Sequence, residues 1–166
     1  MTDSQATFVA DVHLAKLARH LRMLGFDTLW RQDIRDDEML NVSETDGRKL
    51  LTRDRALWNR GDPDRRFCVT ATAPGQQLAE TLTQFGLLDR ARSKHGFLTR
   101  CLECNALILP AQAHQLTERL PGSVLQEFDQ FFLCPRCERI YWRGSHFDRM
   151  SRWVDEALNA KGDPTP

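Results

Sequence analysis

Two cysteine pairs, Cys101-Leu102-Glu103-Cys104 and Cys134-Pro135-Arg136-Cys137, constrain this chain more than any other feature of its sequence. A thiolate pair two residues apart holds one edge of a tetrahedral zinc ion, and two such pairs close a site of four sulfurs. The second pair lies in the turn of Phe131-Phe132-Leu133-Cys134-Pro135-Arg136-Cys137-Glu138-Arg139-Ile140-Tyr141-Trp142, which reads as a hairpin, and the first leads into the apolar run Ala106-Leu107-Ile108. Two knuckles on turns beside strands describe a zinc ribbon, with Cys101, Cys104, Cys134 and Cys137 as structural zinc ligands. Four thiolates also suit iron, as in a rubredoxin-like electron carrier. That reading leaves residues 7–89 without a purpose. The ribbon takes up only the C-terminal part, so the chemistry is to be sought ahead of it.

With 166 residues the chain has room for one ordinary domain and a small appendage. Its 41% hydrophobic and 28% charged residues are those of a soluble globular protein. No apolar run approaches the roughly 20 residues of a membrane span, and Met1-Thr2-Asp3-Ser4-Gln5 carries no export signal. Cysteines in ligand spacing then point to a reducing cytoplasm. Cys68, within Phe67-Cys68-Val69, reads as a buried strand residue. The 23 basic and 23 acidic residues cancel, so any phosphate contact must come from a local patch. Oligomeric state is left open.

Residues 7–89 alternate between strand-like and helix-like segments. Thr7-Phe8-Val9-Ala10-Asp11 is a short strand ending in an acid. From His13 to Leu24, Leu14, Leu17, Ala18, Leu21 and Leu24 follow helical spacing, with Gly25 as the stop. Asp27-Thr28-Leu29-Trp30, Arg48 to Asp54 and Phe67-Cys68-Val69-Thr70 read as further strands, with helices at 38–42, 56–58 and 75–85 between and after them. This alternation predicts a parallel α/β sheet flanked by helices over 7–90. Residues 90–96 read as a polar linker, 97–150 as the ribbon with a partly helical insert, and about 147–160 as a last helix.

In an open parallel sheet the functional crevice lies beyond the carboxyl ends of the strands. Asp11 ends the first strand, Asp33, Asp36 and Asp37 follow the second, and Asp54 ends the third. Carboxylates gathered there repel one another unless a hard cation such as magnesium or manganese neutralises them. Each also has a local use: Asp11, Asp36, Asp37 and Asp54 all stand where a helix N-terminus wants a cap or an acid. Lys16, Arg19 and Arg22 recur on the polar side of the first helix, and Arg53 and Arg55 flank Asp54. They offer a phosphate-contacting edge, and Thr52 and Arg53 are placed to position a phosphate. No Gly-rich phosphate loop is present, and the histidines lack metal-binding spacing. Tyr141-Trp142-Arg143-Gly144-Ser145-His146 is a candidate stacking surface for an unpaired base.

The run Phe8-Val9-Ala10-Asp11, then Leu14 to Thr28, then Asp36-Asp37-Glu38, Leu50-Leu51-Thr52-Arg53-Asp54-Arg55, both cysteine pairs and Tyr141 to His146 together resemble the Mut-seven C-terminal RNase domain family. The resemblance covers about Phe8 to Met150, with the motifs in order. It implies a PIN-like nuclease fold with a fused zinc ribbon, acting on RNA through three or four acids around magnesium or manganese. By position those acids are Asp11 and Asp54, with Asp36 or Asp37 as the third and Asp33 or Glu38 as candidates for a fourth. Arg22 and Arg53 match basic positions near the site. The rival from a different class is a non-catalytic RNA-binding or adaptor module whose acids are caps.

Overall fold

In the computed structural model, which describes residues 6–160, the predicted alternation becomes a four-stranded parallel sheet. Its strands are β1 (Thr7–Ala10), β2 (Asp27–Leu29), β3 (Lys49–Thr52) and β4 (Arg66–Cys68), in the order β2-β1-β3-β4. Leu29 pairs with Val9, Leu50 with Val9 from the other side, and Cys68 with Thr52. The chain leaves β1 toward β2, then crosses back to β3. The strand order therefore reverses between β1 and β3, which opens a crevice at their carboxyl ends.

Side chains alternate across a strand, so each face of the sheet collects its own core. Phe8, Ala10 and Leu51 face α1 (Ala15–Met23) and α4 (Pro74–Gln84), packing on Leu17, Ala18 and Leu21 of the first and Leu78 and Leu82 of the second. Val9 and Leu50 face α2 (Asp36–Thr45) and α3 (Arg55–Arg60), meeting Met39, Leu57 and the preceding Ile34. All five apolar residues predicted for the first helix, Leu14, Leu17, Ala18, Leu21 and Leu24, are buried. Gly25 ends that segment with φ 86°, and a Cβ there would stand 2.4 Å from the Gly96 carbonyl oxygen. Both the left-handed backbone and the close approach require glycine.

The ribbon is a three-stranded antiparallel sheet of β5 (Leu109–Ala111), β6 (Phe131–Leu133) and β7 (Ile140–Trp142). Its insert holds a short 3-10 turn, Ala113–Gln115, and α6 (Gly122–Glu127), with Leu116 buried beneath it. The stretch read as a polar linker is partly ordered: α5 (Leu88–Arg92) buries Ala91, and Lys94 Nζ donates to Asp155 at 2.7 Å.

The final helix, α7 (Ser145–Asn159), buries Val154 and Leu158 in the same core as Phe8 and Leu17. A Cβ on Gly75 would come within 3.3 Å of Ala157 Cβ, so α4 and α7 pack closely. The chain thus returns from the ribbon to finish the face of the sheet it began with. Among the described residues, no helix is long and apolar enough to cross a membrane.

Candidate active site and cysteine centre

Asp11 stands at the strand reversal, one residue beyond β1, with its N–H donating to the Leu51 carbonyl of β3 at 3.0 Å. Its side chain is buried, and three donors fix it. Oδ1 accepts the His13 N–H at 2.8 Å, which caps the 3-10 turn Val12–Leu14 leading into α1. Oδ2 accepts the Thr52 hydroxyl at 2.6 Å and the Arg53 N–H at 2.8 Å. A cap and an inter-strand tie are therefore combined in one carboxylate.

Asp54 is tied to the same point. Its N–H donates to Thr52 Oγ1 at 2.9 Å, and its Oδ1 caps α3 by accepting from Ala56 and Leu57. Asp36 and Asp37 lie exposed in the first turn of α2, with Asp37 paired to Arg60. Asp33 and Glu38 both lie by Arg31, at 3.5 and 2.5 Å. All these acids follow the carboxyl ends of β1, β2 or β3 in the chain. Among the described residues, however, they do not come within the tight spacing of one all-protein ion site, which only the cysteines reach.

The basic residues divide. Lys16, Arg53 and Arg55 are exposed beside Asp11 and Asp54 in sequence. Arg19 is exposed and paired with Glu103 of the first knuckle. Arg22 does not belong to a phosphate edge. It is 4% exposed, and its guanidinium is spent on backbone carbonyls: Nε on Thr28, Nη1 on Leu102 and Glu103, Nη2 on Trp30. Helical spacing places residue 22 on the flank of the helix that the ribbon covers, and the ribbon's position is not visible in the sequence. Thr52, also assigned to phosphate, is fully buried and turned to Asp11, so it positions the acid.

The four cysteines gather with their sulfurs within 4.8 Å of one another. Cys101 and Cys137 stand 3.4 Å apart, Cys104 and Cys134 3.3 Å. The knuckles repeat one geometry. The N–H four residues on returns to the first cysteine's carbonyl (Asn105 to Cys101, 3.0 Å; Glu138 to Cys134, 2.9 Å), and Asn105 and Glu138 both take positive φ. Tyr141 Oη lies 3.2 Å from Cys101 Sγ and accepts the Leu102 N–H at 3.1 Å. Burial pushes the Cys101 thiol up, but the Tyr141 hydroxyl, the N–H groups of Cys104 and Glu103, and Cys137 outweigh it and bring it down to about 6. A nearly closed sulfur tetrahedron with a stabilised thiolate fits structural zinc.

Asn105 carries the first knuckle onto the sheet: its side chain donates to Asp27 at 2.8 Å and accepts the Thr28 N–H at 3.0 Å. Nothing in the sequence marks this contact except that asparagine tolerates the left-handed turn after a CxxC. His13 is another site residue whose role the sequence does not reveal; its Nδ1 lies 3.4 Å from Asp11 Oδ1. Of the candidate stacking stretch, Tyr141 is turned inward to the cysteines, while His146 lines a cavity with α1.

Compared with known proteins, residues 6–154 match the family model described as Mut7-C RNAse domain. No curated protein and no solved structure matches the chain.

Proposed function

The chain belongs to the Mut7-C RNAse domain family, and from that premise we propose that it hydrolyses RNA phosphodiester bonds at the carboxyl ends of β1 and β3, using a divalent cation. The observation that carries the reading is the convergence of Asp11 and Asp54 on Thr52 at the strand reversal. Asp11 Oδ1 meets one backbone donor, and Asp54 Oδ2 meets none among the described residues, so both acids keep lone pairs for a hard cation. Magnesium is commonly held by one or two carboxylates and keeps several waters, so an all-protein cage is not needed.

Asp11 and Asp54 would hold that cation, with Asp36 and Asp37 supplying further negative charge from the first turn of α2. Magnesium or manganese held there would supply neutralisation of phosphate charge and a more acidic water. Thr52 and the Arg53 N–H keep the Asp11 carboxylate in one orientation as substrate arrives. Lys16, Arg53 and Arg55 meet phosphate oxygens, the arginines through paired N–H donors. Cys101, Cys104, Cys134 and Cys137 would hold zinc with no open position, as a structural centre.

A second reading, an RNA-binding module without catalysis, is favoured by the local work the acids do: Asp11 and Asp54 cap helical turns and Asp37 pairs with Arg60. End-labelled RNA incubated with manganese, with magnesium or with no added cation separates the two. Cation-dependent cleavage that disappears in Asp11→Asn and Asp54→Asn supports hydrolysis at this site. Intact RNA in every lane, with binding retained by both variants, supports the module.

A further inference from the structure

A cavity of about 350 Å³ lies where α1, the first cysteine knuckle and α7 meet, away from the carboxylates at the other end of α1. Its floor is apolar: Met23, Leu102 and Met150. Its wall is aromatic, with the His20 ring stacked on Trp153 at 4.0 Å between centroids. Its rim carries Arg19 and Arg149, with the His146 ring beside them. Glu103 takes up Arg19, but Arg149 has only the His146 ring nitrogen, at 3.5 Å, among the described residues. That leaves a positive charge on the rim without a carboxylate to offset it.

The wall also carries an unmet polar atom. His20 Nδ1 is buried and has no hydrogen-bond partner among the described residues. That atom is shut off even with the cavity open, so the ring faces the cavity through its other atoms. Burial, with Arg19 and Lys16 adding to it, pulls His20 down to about 4, so the ring is neutral at physiological pH. A neutral ring is suited to packing against an uncharged base and not to a phosphate.

We propose that this cavity seats one nucleotide of the RNA substrate, its base between the apolar floor and the His20–Trp153 wall, its phosphate on Arg149. Size, chemistry and charge agree on the class of ligand: about 300 Å³ is the lower end for small-ligand pockets, base recognition in single strands uses aromatic walls and Watson–Crick edges, and arginine suits phosphate. Lys16 lies along α1 between this cavity and Asp11 and gives the strand a cationic step from one to the other. The inference rests on the ribonuclease reading and adds to it a fixed subsite built jointly by the sheet domain, the ribbon and the last helix.

The test is equilibrium binding without added magnesium or manganese, so that it does not depend on cleavage. The probes are a labelled six-nucleotide RNA, the same chain lacking bases, and adenosine 5′-monophosphate. The RNA is expected to bind about tenfold tighter than the abasic chain. Trp153→Leu, which removes the aromatic wall, should abolish that difference and leave the abasic chain unaffected. Arg149→Ala, at an exposed position, should weaken both chains several-fold. Equal binding of RNA and abasic chain by the wild type, or wild-type RNA binding by Arg149→Ala, overturns the subsite. The mononucleotide binding as tightly as the RNA overturns the assignment to a strand in favour of a free nucleotide. If Trp153→Leu does not fold, Arg149→Ala decides alone. Cleavage intact with both pocket variants binding normally sinks the subsite only, whereas base-dependent binding with no cleavage sinks the hydrolytic reading only.

Discussion

The hydroxyl of Thr52 lies 2.6 Å from Asp11 Oδ2 and accepts the N–H of Asp54 at 2.9 Å. One buried side chain thus joins the ends of two neighbouring strands and both of the acids proposed to hold the cation. Threonine at the end of a strand is ordinary in composition and special in position, since valine would fit the same space with no hydroxyl to give.

Thr52→Val should therefore cost about 1–3 kcal/mol in stability, because a buried carboxylate oxygen and a backbone N–H each lose a partner. RNA cleavage should fall further than the stability loss accounts for, since Asp11 is released from its orientation. Thr52→Ser should restore most of both. Urea denaturation together with single-turnover cleavage measures the two effects, and unchanged cleavage in a folded Val variant would remove Thr52 from any positioning role.

Arg22 ties Thr28 and Trp30, beside β2, to Leu102 and Glu103 of the first knuckle. Arg22→Met should destabilise the protein by about 3 kcal/mol or more, leaving buried carbonyls without donors. Arg22→Lys should not rescue it, because an ammonium cannot reach four acceptors arranged around a planar fork. Thermal unfolding of both variants tests this, and a midpoint unchanged in Arg22→Met would show that water replaces the clamp.

Much of this fold is legible in the chain, for physical reasons that differ by element. The first helix is readable because Leu14, Leu17, Ala18, Leu21 and Leu24 repeat a local period, and all are buried. The cysteine centre is readable because chelation by CxxC is itself local. Asp11 and Asp54 are readable as strand-end acids, since each follows an apolar run that pairs into the sheet. Arg22 is not, because its environment comes from residues eighty positions away. Nor is α5, whose five residues depend on Ala91 finding the core more than on any periodicity of their own.

Tyr141 supports the cysteine centre from outside the ligand set. Tyr141→Phe removes the donor to Cys101 Sγ and the acceptor for the Leu102 N–H. Zinc affinity should fall about 10- to 100-fold, the usual effect of removing an outer-shell partner. Competition against a chromophoric chelator measures it. Equal affinity in the two proteins would mean that the hydroxyl serves packing alone.

His20 gives the protein a predictable response to acid. Its pKa in the folded protein, about 4, lies below the ordinary 6.5. The unfolded chain therefore binds the proton first, and the contribution of the neutral ring is present above pH 6.5 and is lost as pH falls through 4. The loss is on the order of 3 kcal/mol at most. His20→Phe should flatten the stability profile across that window relative to wild type, read by chemical denaturation at successive pH values. Parallel profiles would show that other groups set the acid limit.

Gly25→Ala should be among the most damaging single-methyl changes, since the residue has φ 86° and its Cβ would meet Gly96 oxygen at 2.4 Å. A loss of several kcal/mol, roughly a backbone shift plus conformational strain, is expected. Gly86→Ala, with positive φ and open space, should cost only about 1 kcal/mol. Comparable unfolding midpoints for the two would contradict the close approach.

The return of α7 to the sheet has a consequence for how the protein is made. When the ribosome has released the first ninety residues, β1 to β4 and α4 are complete in sequence, but the surfaces of α1 and α4 that Val154 and Leu158 will cover still face water. The nascent sheet must wait for the ribbon to be synthesised before its core can be closed, and during that interval it is sticky. A gene cut between the sheet and the ribbon would yield not a smaller folded domain but an exposed greasy face, so the two parts are joined by birth order as well as by contact.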